Sequence, residues 1–247
     1  MGMWYIFRRE VQSYFHSFIA YVIISAFLLL AGYFFYTDLI MQIMWTMKKV
    51  DFEKIWELFF NDIRYMLTII MPLITMRLFA EEKKLGTIEL LWTYPLRDWE
   101  VFSGKYLSAL LMLCIMLGLT LTYPIITNAL FHIDLKPLLA GYLGLFLIGS
   151  AFIICGVTIS ILTENQIVAA LGTYLVLLMF WFLTWNEAVA NPAAMNVMLN
   201  FSLFDRLYNF TRGAIDLKDI VFFVNFHLVF VVLAMLALSA RKWRGVQ

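Results

Sequence analysis

The chain has 247 residues, 63% of them hydrophobic and 14% charged, with a formal net charge of +1 and a mean hydropathy of +0.84. A soluble domain is about 45–50% apolar and about 25% charged, so this composition excludes an ordinary water-soluble globule and describes an all-α integral membrane protein. A near-neutral chain with no concentrated basic face argues against nucleic acid as a partner.

At the amino terminus Trp4, Phe7, Val11, Tyr14 and Phe18 recur at three- and four-residue spacings, while Arg8, Arg9, Gln12 and His16 fall elsewhere on the same helical wheel. Residues 3–16 are therefore expected to form an interface helix on the inner leaflet or an amphipathic lead-in to the first span. Trp4, Phe7, Arg8, Arg9 and Val11 would lie at its lipid surface. Met1-Gly2 begins like an acylation signal, but Ile6 stands where serine or threonine is required. The next apolar run exceeds a signal-peptide core and has no small-residue cleavage pattern, so it reads as a retained span.

A hydrocarbon core of about 30 Å needs about 20 apolar helical residues. Six segments are expected to cross it: 18–36, 64–80, 101–131, 137–162, 166–184 and 219–240. The second is short between Arg64 and Arg77, whose aliphatic stems can carry their charges to opposite interfaces. Thr37 to Asp62 reads as the first external loop, and Pro72 and Pro124 as bending points within spans.

The tetrad TENQ at Thr163–Gln166 implies a tight hairpin between the fourth and fifth spans. Segment 185–217 is too polar to span yet carries Leu203, Phe204, Leu207, Tyr208 and Phe210, so it is expected to be external and interfacial or re-entrant. Gly213 would end it and Asp216 would cap the last span. Asn200 and Asn209 begin glycosylation triplets of a kind frequent by chance. Placing both termini in the cytoplasm puts ten of the eighteen basic residues inside, among them Arg8, Arg9, Arg77, Lys83, Lys84, Arg97 and Lys105.

Chemistry within the membrane needs ionisable groups at depth, and the expected spans carry almost none. His227, beside Asn225, is the exception, and the bland reading gives it a hydrogen bond to a neighbouring helix. Cys114 and Cys155 lie in apolar runs without ligand spacing and read as small buried hydrophobes. Neither HExxH nor GxSxG occurs, and Gly104-Lys105 continues into Tyr106 without the spacing of a phosphate-binding loop. The chain is therefore expected to have no catalytic, cofactor or metal residues of its own.

Charge concentrates instead in FAEEKKLGTIELLWTYPL, Phe79 to Leu96. The second span runs on into Glu81, Glu82, Lys83 and Lys84, Gly86 turns the chain, Thr87 opens a short helix with Leu85, Ile88, Leu91 and Trp92 on one face, and Pro95 ends it. Asp98 is expected to cap the third span, with Glu100 in its first turn. Such an elbow fits a groove on a soluble partner; composition alone equally allows a solvated loop whose lysines follow the positive-inside bias.

The run MRLFAEEKKLGTIELLWTYPL followed by GKYLSALL resembles the cytoplasmic loop of ABC-2 type transporter permeases, carried by Glu81, Glu82, Gly86, Thr87, Glu89, Leu90, Leu91, Pro95, Gly104 and Lys105. Together with LTENQIVA at Leu162–Ala169 and FTRGAIDLKDIVFF at Phe210–Phe223, it is most similar to the permease associated with bacterial gliding motility and to the copper-maturation permease of nitrous oxide reductase. The resemblance implies a single permease domain over 1–247 with six helices of type V exporter-like architecture, an interface helix, a coupling elbow at 81–95 and short external helices before the last span. It implies a second permease half, the same or related, and two ATP-binding subunits that hold ATP and Mg, in a bacterial inner membrane. Carried onto this chain, Glu81, Glu82, Lys83, Lys84, Gly86, Thr87, Glu89, Leu90 and Leu91 would contact the ATP-binding subunit. Two other readings remain: a membrane scaffold using the same elbow without moving a cargo, and a lipid-headgroup enzyme using Glu187, Asp205, Arg206 and Asp216.

Overall fold

The computed structural model describes residues 2–46, 51–88, 96–131, 133–185 and 202–244, and among these it contains helices and no strands. In chain order they are α1 Gly2–His16, α2 Phe18–Thr46, α3 Phe52–Thr75, α4 Arg77–Lys84, α5 Asp98–Thr120, α6 Thr122–Phe131, α7 Leu135–Leu162, α8 Gln166–Trp185, α9 Arg206–Thr211 and α10 Leu217–Arg244. Five stretches are long and apolar enough to cross a membrane: Phe18–Met44, Phe52–Lys84, Asp98–Phe131, Leu135–Leu162 and Leu217–Ala240. The chain is thus an all-α protein with the helices of a multi-pass membrane protein. A shorter apolar helix, Gln166–Phe182, stands beside them.

The first two spans differ from the expected segments. α2 continues through the expected loop to Thr46, and α3 begins at Phe52, twelve residues before the expected boundary at 64. The reason is amphipathicity: Ile55, Trp56, Phe59, Phe60 and Ile63 fall on one buried face, while Glu53, Lys54 and Leu58 lie exposed on the other. Asp51 caps the helix, its Oδ1 accepting from the amides of Glu53 at 3.1 Å and Lys54 at 3.4 Å. Arg64 lies inside α3 rather than at its end, and its Nη1 donates to the Phe204 carbonyl at 2.9 Å.

α7 is the axis of the bundle. Every residue from Ile148 to Thr158 is buried, and α3, α5, α8, α9 and α10 all pack on it. Close approach to α3 requires a missing side chain at Gly156, where a Cβ would sit 2.0 Å from Thr75 Oγ1. The Thr163–Asn165 turn then reverses the chain into α8, as the TENQ tetrad implies.

Both expected bending points lie beside interruptions. α3 gives way to α4 at Met76, whose amide donates to the Pro72 carbonyl at 2.9 Å, and α5 gives way to α6 at Leu121, three residues before Pro124. The cap of α5 is one residue earlier than expected. Arg97 occupies the cap position with Asp98 as the first helical residue, and Glu100 Oε2 accepts the Arg97 amide at 3.1 Å.

Within segment 185–217 the described part, from Ser202 onward, packs into the bundle. Ser202, Leu203, Phe204, Leu207, Phe210 and Thr211 are all buried, and the Phe204 ring lies 5.7 Å from Phe152 on α7. Asn209 donates to Asp219 Oδ2 at 2.9 Å and Thr211 is 2% exposed, so the triplet at Asn209 is engaged in packing. Gly213 follows α9 with a φ of +78°, and Asp216 Oδ1 accepts the Lys218 amide at 3.2 Å to cap α10. Residues 186–201, with Glu187 and Asn200, lie outside the described residues.

Candidate functional site

The elbow opens with a helix break that side chains from two other elements close. At the α3–α4 junction Ser160 Oγ, reaching in from α7, accepts the amides of Phe79 and Ala80 at 3.1 Å each and donates to the Met76 carbonyl at 3.0 Å. These are groups that a continuous helix would pair internally, so Ser160 acts as a cap donated from outside. On the opposite side the Tyr14 hydroxyl of α1 donates to the Ile74 carbonyl at 3.0 Å, and burial raises the phenol above its ordinary pKa.

One turn further along, four charged side chains from three helices meet. Lys105 of α5 is fully buried; its Nζ donates to Glu10 Oε1 at 2.9 Å and to the Leu78 carbonyl at 2.6 Å, and stands 3.0 Å from Glu82 Oε2. Arg9 pairs with Glu10 at 2.8 Å and also with Glu82. Two acids and two bases cancel, which lets a lysine sit without water at the head of an apolar helix. Burial alone would raise the Glu10 carboxyl, but the Lys105 ammonium and the Arg9 guanidinium outweigh it and hold it below the usual range. The carboxylates in turn raise Arg9 against the lowering effect of its burial.

The expected partner-contact residues divide accordingly. Glu82 faces inward into this node, and Lys83 Nζ donates to the Ile161 carbonyl at the end of α7. Glu81 is half-buried, while Lys84, Leu85, Gly86 and Thr87 form the exposed tip. Gly86 turns the chain with a φ of +68°, a conformation that favours glycine. Leu85 is exposed and Ile88 buried, so these two do not share a face as expected, because the turn at Leu85–Gly86 interrupts the helical spacing. Glu89, Leu90, Leu91, Trp92 and Pro95 lie outside the described residues.

The amino-terminal helix has three sectors rather than two. Ile6, Glu10 and Tyr14 face the protein, Trp4, Phe7 and Val11 form an outward apolar stripe with Trp4 and Phe7 stacked at 5.3 Å, and Arg8, Arg9 and Gln12 are exposed. The buried contact with α5 is close: a Cβ at Gly104 would lie 2.9 Å from Ile6.

Sequence reasoning missed Glu10, Ser160 and the burial of Lys105. Glu10 is the sole acid before Asp38, and Lys105 heads a long run without charge; two isolated opposite charges were the available signal. His227 bonds the Phe223 carbonyl of its own helix at 2.7 Å and also the Ser150 backbone on α7, the neighbouring-helix contact that was expected. Cys155 is buried as expected, whereas Cys114 is exposed on the outer face of α5. Of the residues assigned to a headgroup enzyme, Asp216 is a helix cap and Arg206 pairs with Asp219 at 2.6 Å.

No protein-family model matches the chain, and no curated protein is significantly similar to it.

Proposed function

We propose that this chain is the membrane-spanning subunit of an ATP-driven transporter of the ABC-2 type, pairing with a second permease half and with two separate ATP-binding subunits. The observation that carries the reading is the fastening of α4. An exposed tip at Lys84–Thr87 continues directly into a helix tied to α1 through Arg9, to α5 through Lys105 and to α7 through Ser160 and Ile161. A push on that tip reaches three elements at once.

ATP-driven closure of a partner can move the bundle only where the two states of the bundle contact that partner differently. The elbow supplies that difference: the tip touches the ATP-binding subunit, the breaks at Met76 and Leu121 yield, and α3 and α5 tilt. In this reading α8 is the sixth span, both termini are cytoplasmic, ATP and Mg reside in the partner, and the system belongs with gliding-motility or related permeases of a bacterial inner membrane. Support comes from the run Glu81–Leu91 with Pro95, Gly104 and Lys105, and from the tie between the elbow and Lys105.

Purification of the full-length chain from its native membrane tests this. An ATP-binding subunit is expected to accompany the wild-type chain and to be lost on Gly86→Val or Glu89→Lys. Retention in both variants removes the elbow as the contact. Cellular function that survives inactivation of the partner's ATP hydrolysis leaves the scaffold reading in its place.

A further inference from the structure

Where α1 turns into α2, a cleft of about 320 Å³ opens between these helices, the α3–α4 break and α5. That is the lower end of the range of about 300–1,000 Å³ found for small-molecule sites. Its floor is apolar, formed by Ala20, Ile23, Ile74 and Met112, and its mouth carries Arg77 and Glu81, one helical turn apart on α4. The position matters: an amphipathic helix and a span meet at this corner, and an amphipathic helix resting on a leaflet lies where headgroups give way to acyl chains.

Neither mouth charge is ion-paired among the described residues. Arg77 rests on the Tyr14 ring at 4.6 Å and reaches Ser13 Oγ at 3.4 Å, but forms no ion pair among the described residues. The Glu81 carboxylate has neither an ion pair nor a hydrogen bond among them. A cation and an anion four residues apart on a helix commonly pair with each other, and these instead both line the cleft.

We propose that the cleft binds a zwitterionic phospholipid bearing a primary amine, with its phosphate on Arg77, its ammonium on Glu81 and an acyl chain along the floor. Charge complementarity selects the headgroup. A guanidinium matches a phosphate, and a primary ammonium brings three donors to a carboxylate. A quaternary choline has no N–H for Glu81, and an anionic glycerol headgroup leaves Glu81 without a cation. The site shares Glu81 with the expected partner contact but needs only the bilayer, so it is tested on the chain without partner subunits.

The test uses the purified full-length chain in nanodiscs doped with photoactivatable phosphatidylethanolamine, phosphatidylcholine or phosphatidylglycerol, and maps cross-linked peptides by mass spectrometry. The ethanolamine probe is expected to label segments 17–23 and 73–81 about tenfold more than the other two, the factor of one hydrogen bond to a charged group. Glu81→Gln is expected to bring the three probes to parity, and Arg77→Gln to lower labelling by all three. Leu73→Trp narrows the cleft without touching either charge, and is expected to reduce labelling equally across the probes. Equal labelling in the wild type, or labelling of these segments that none of the variants changes, overturns the proposal.

Discussion

Two charged clusters sit at opposite ends of α7, and they are built differently. Beside its carboxyl end, Arg9, Glu10, Glu82 and Lys105 join three helices, and the buried ammonium has carboxylates and a carbonyl around it. Towards its amino-terminal half, Arg206, Asn209 and Asp219 link α9 to α10, while Arg64 of α3 holds the Phe204 carbonyl. The first cluster ties residues 73 and 95 positions apart, and the second ties Arg206 to a residue 13 positions away. The lesson is that the carboxyl-end cluster joins three helices through ion pairs around a buried ammonium, whereas the other fastens the segment around α9 to α3 and α10 with one ion pair and neutral partners.

Lys105→Met breaks the contrast most strongly. It leaves Glu10 and Glu82 with Arg9 as their one shared cation and the cluster one positive charge short, and removing one member of a buried charge cluster costs about 3–5 kcal/mol. Unfolding in detergent is expected to shift accordingly, and adding Glu10→Gln is expected to recover part of the loss. A pH series sharpens the same point. The Glu10 carboxyl is held below its ordinary value of 4.5, so the stability it contributes is complete above that value and is lost as pH falls through the lower, folded one. In Glu10→Gln that portion of the acid-side loss is expected to vanish.

Ser160→Ala comes next. It strands the Phe79 and Ala80 amides and the Met76 carbonyl, a loss of about 1–3 kcal/mol. Hydrogen exchange is expected to quicken at 76–82 and to stay unchanged in α10. Asp219→Asn, at the other cluster, is expected to cost about 1 kcal/mol and to loosen exchange in 206–213 alone. Leu85→Ser, at the exposed tip, is expected to change stability by less than about 0.5 kcal/mol while weakening retention of the ATP-binding subunit.

Five of the six expected spans correspond to helices long and apolar enough to cross a membrane, and they were legible because hydropathy over about 20 residues is a local property. α3 shows where that signal stops: its first three turns alternate Glu53, Lys54 and Glu57 with Ile55, Trp56 and Phe59, so the average drops although the helical period persists. The turn at Gly86 was legible because a glycine after a charged helix end has few other uses. The node was not, because Lys105 meets Glu10 across 95 positions, and only packing decides which distant charges meet. Ser160 was hidden for the same reason: a serine within an apolar run announces neither a partner nor its direction.

The most direct measurement places a cysteine at Thr87 in a Cys114→Ala background and cross-links it in native membranes. The account predicts an adduct with an ATP-binding subunit and no labelling by a membrane-impermeant maleimide in intact cells. Labelling from outside the cell, or a tip that yields no such adduct, contradicts it.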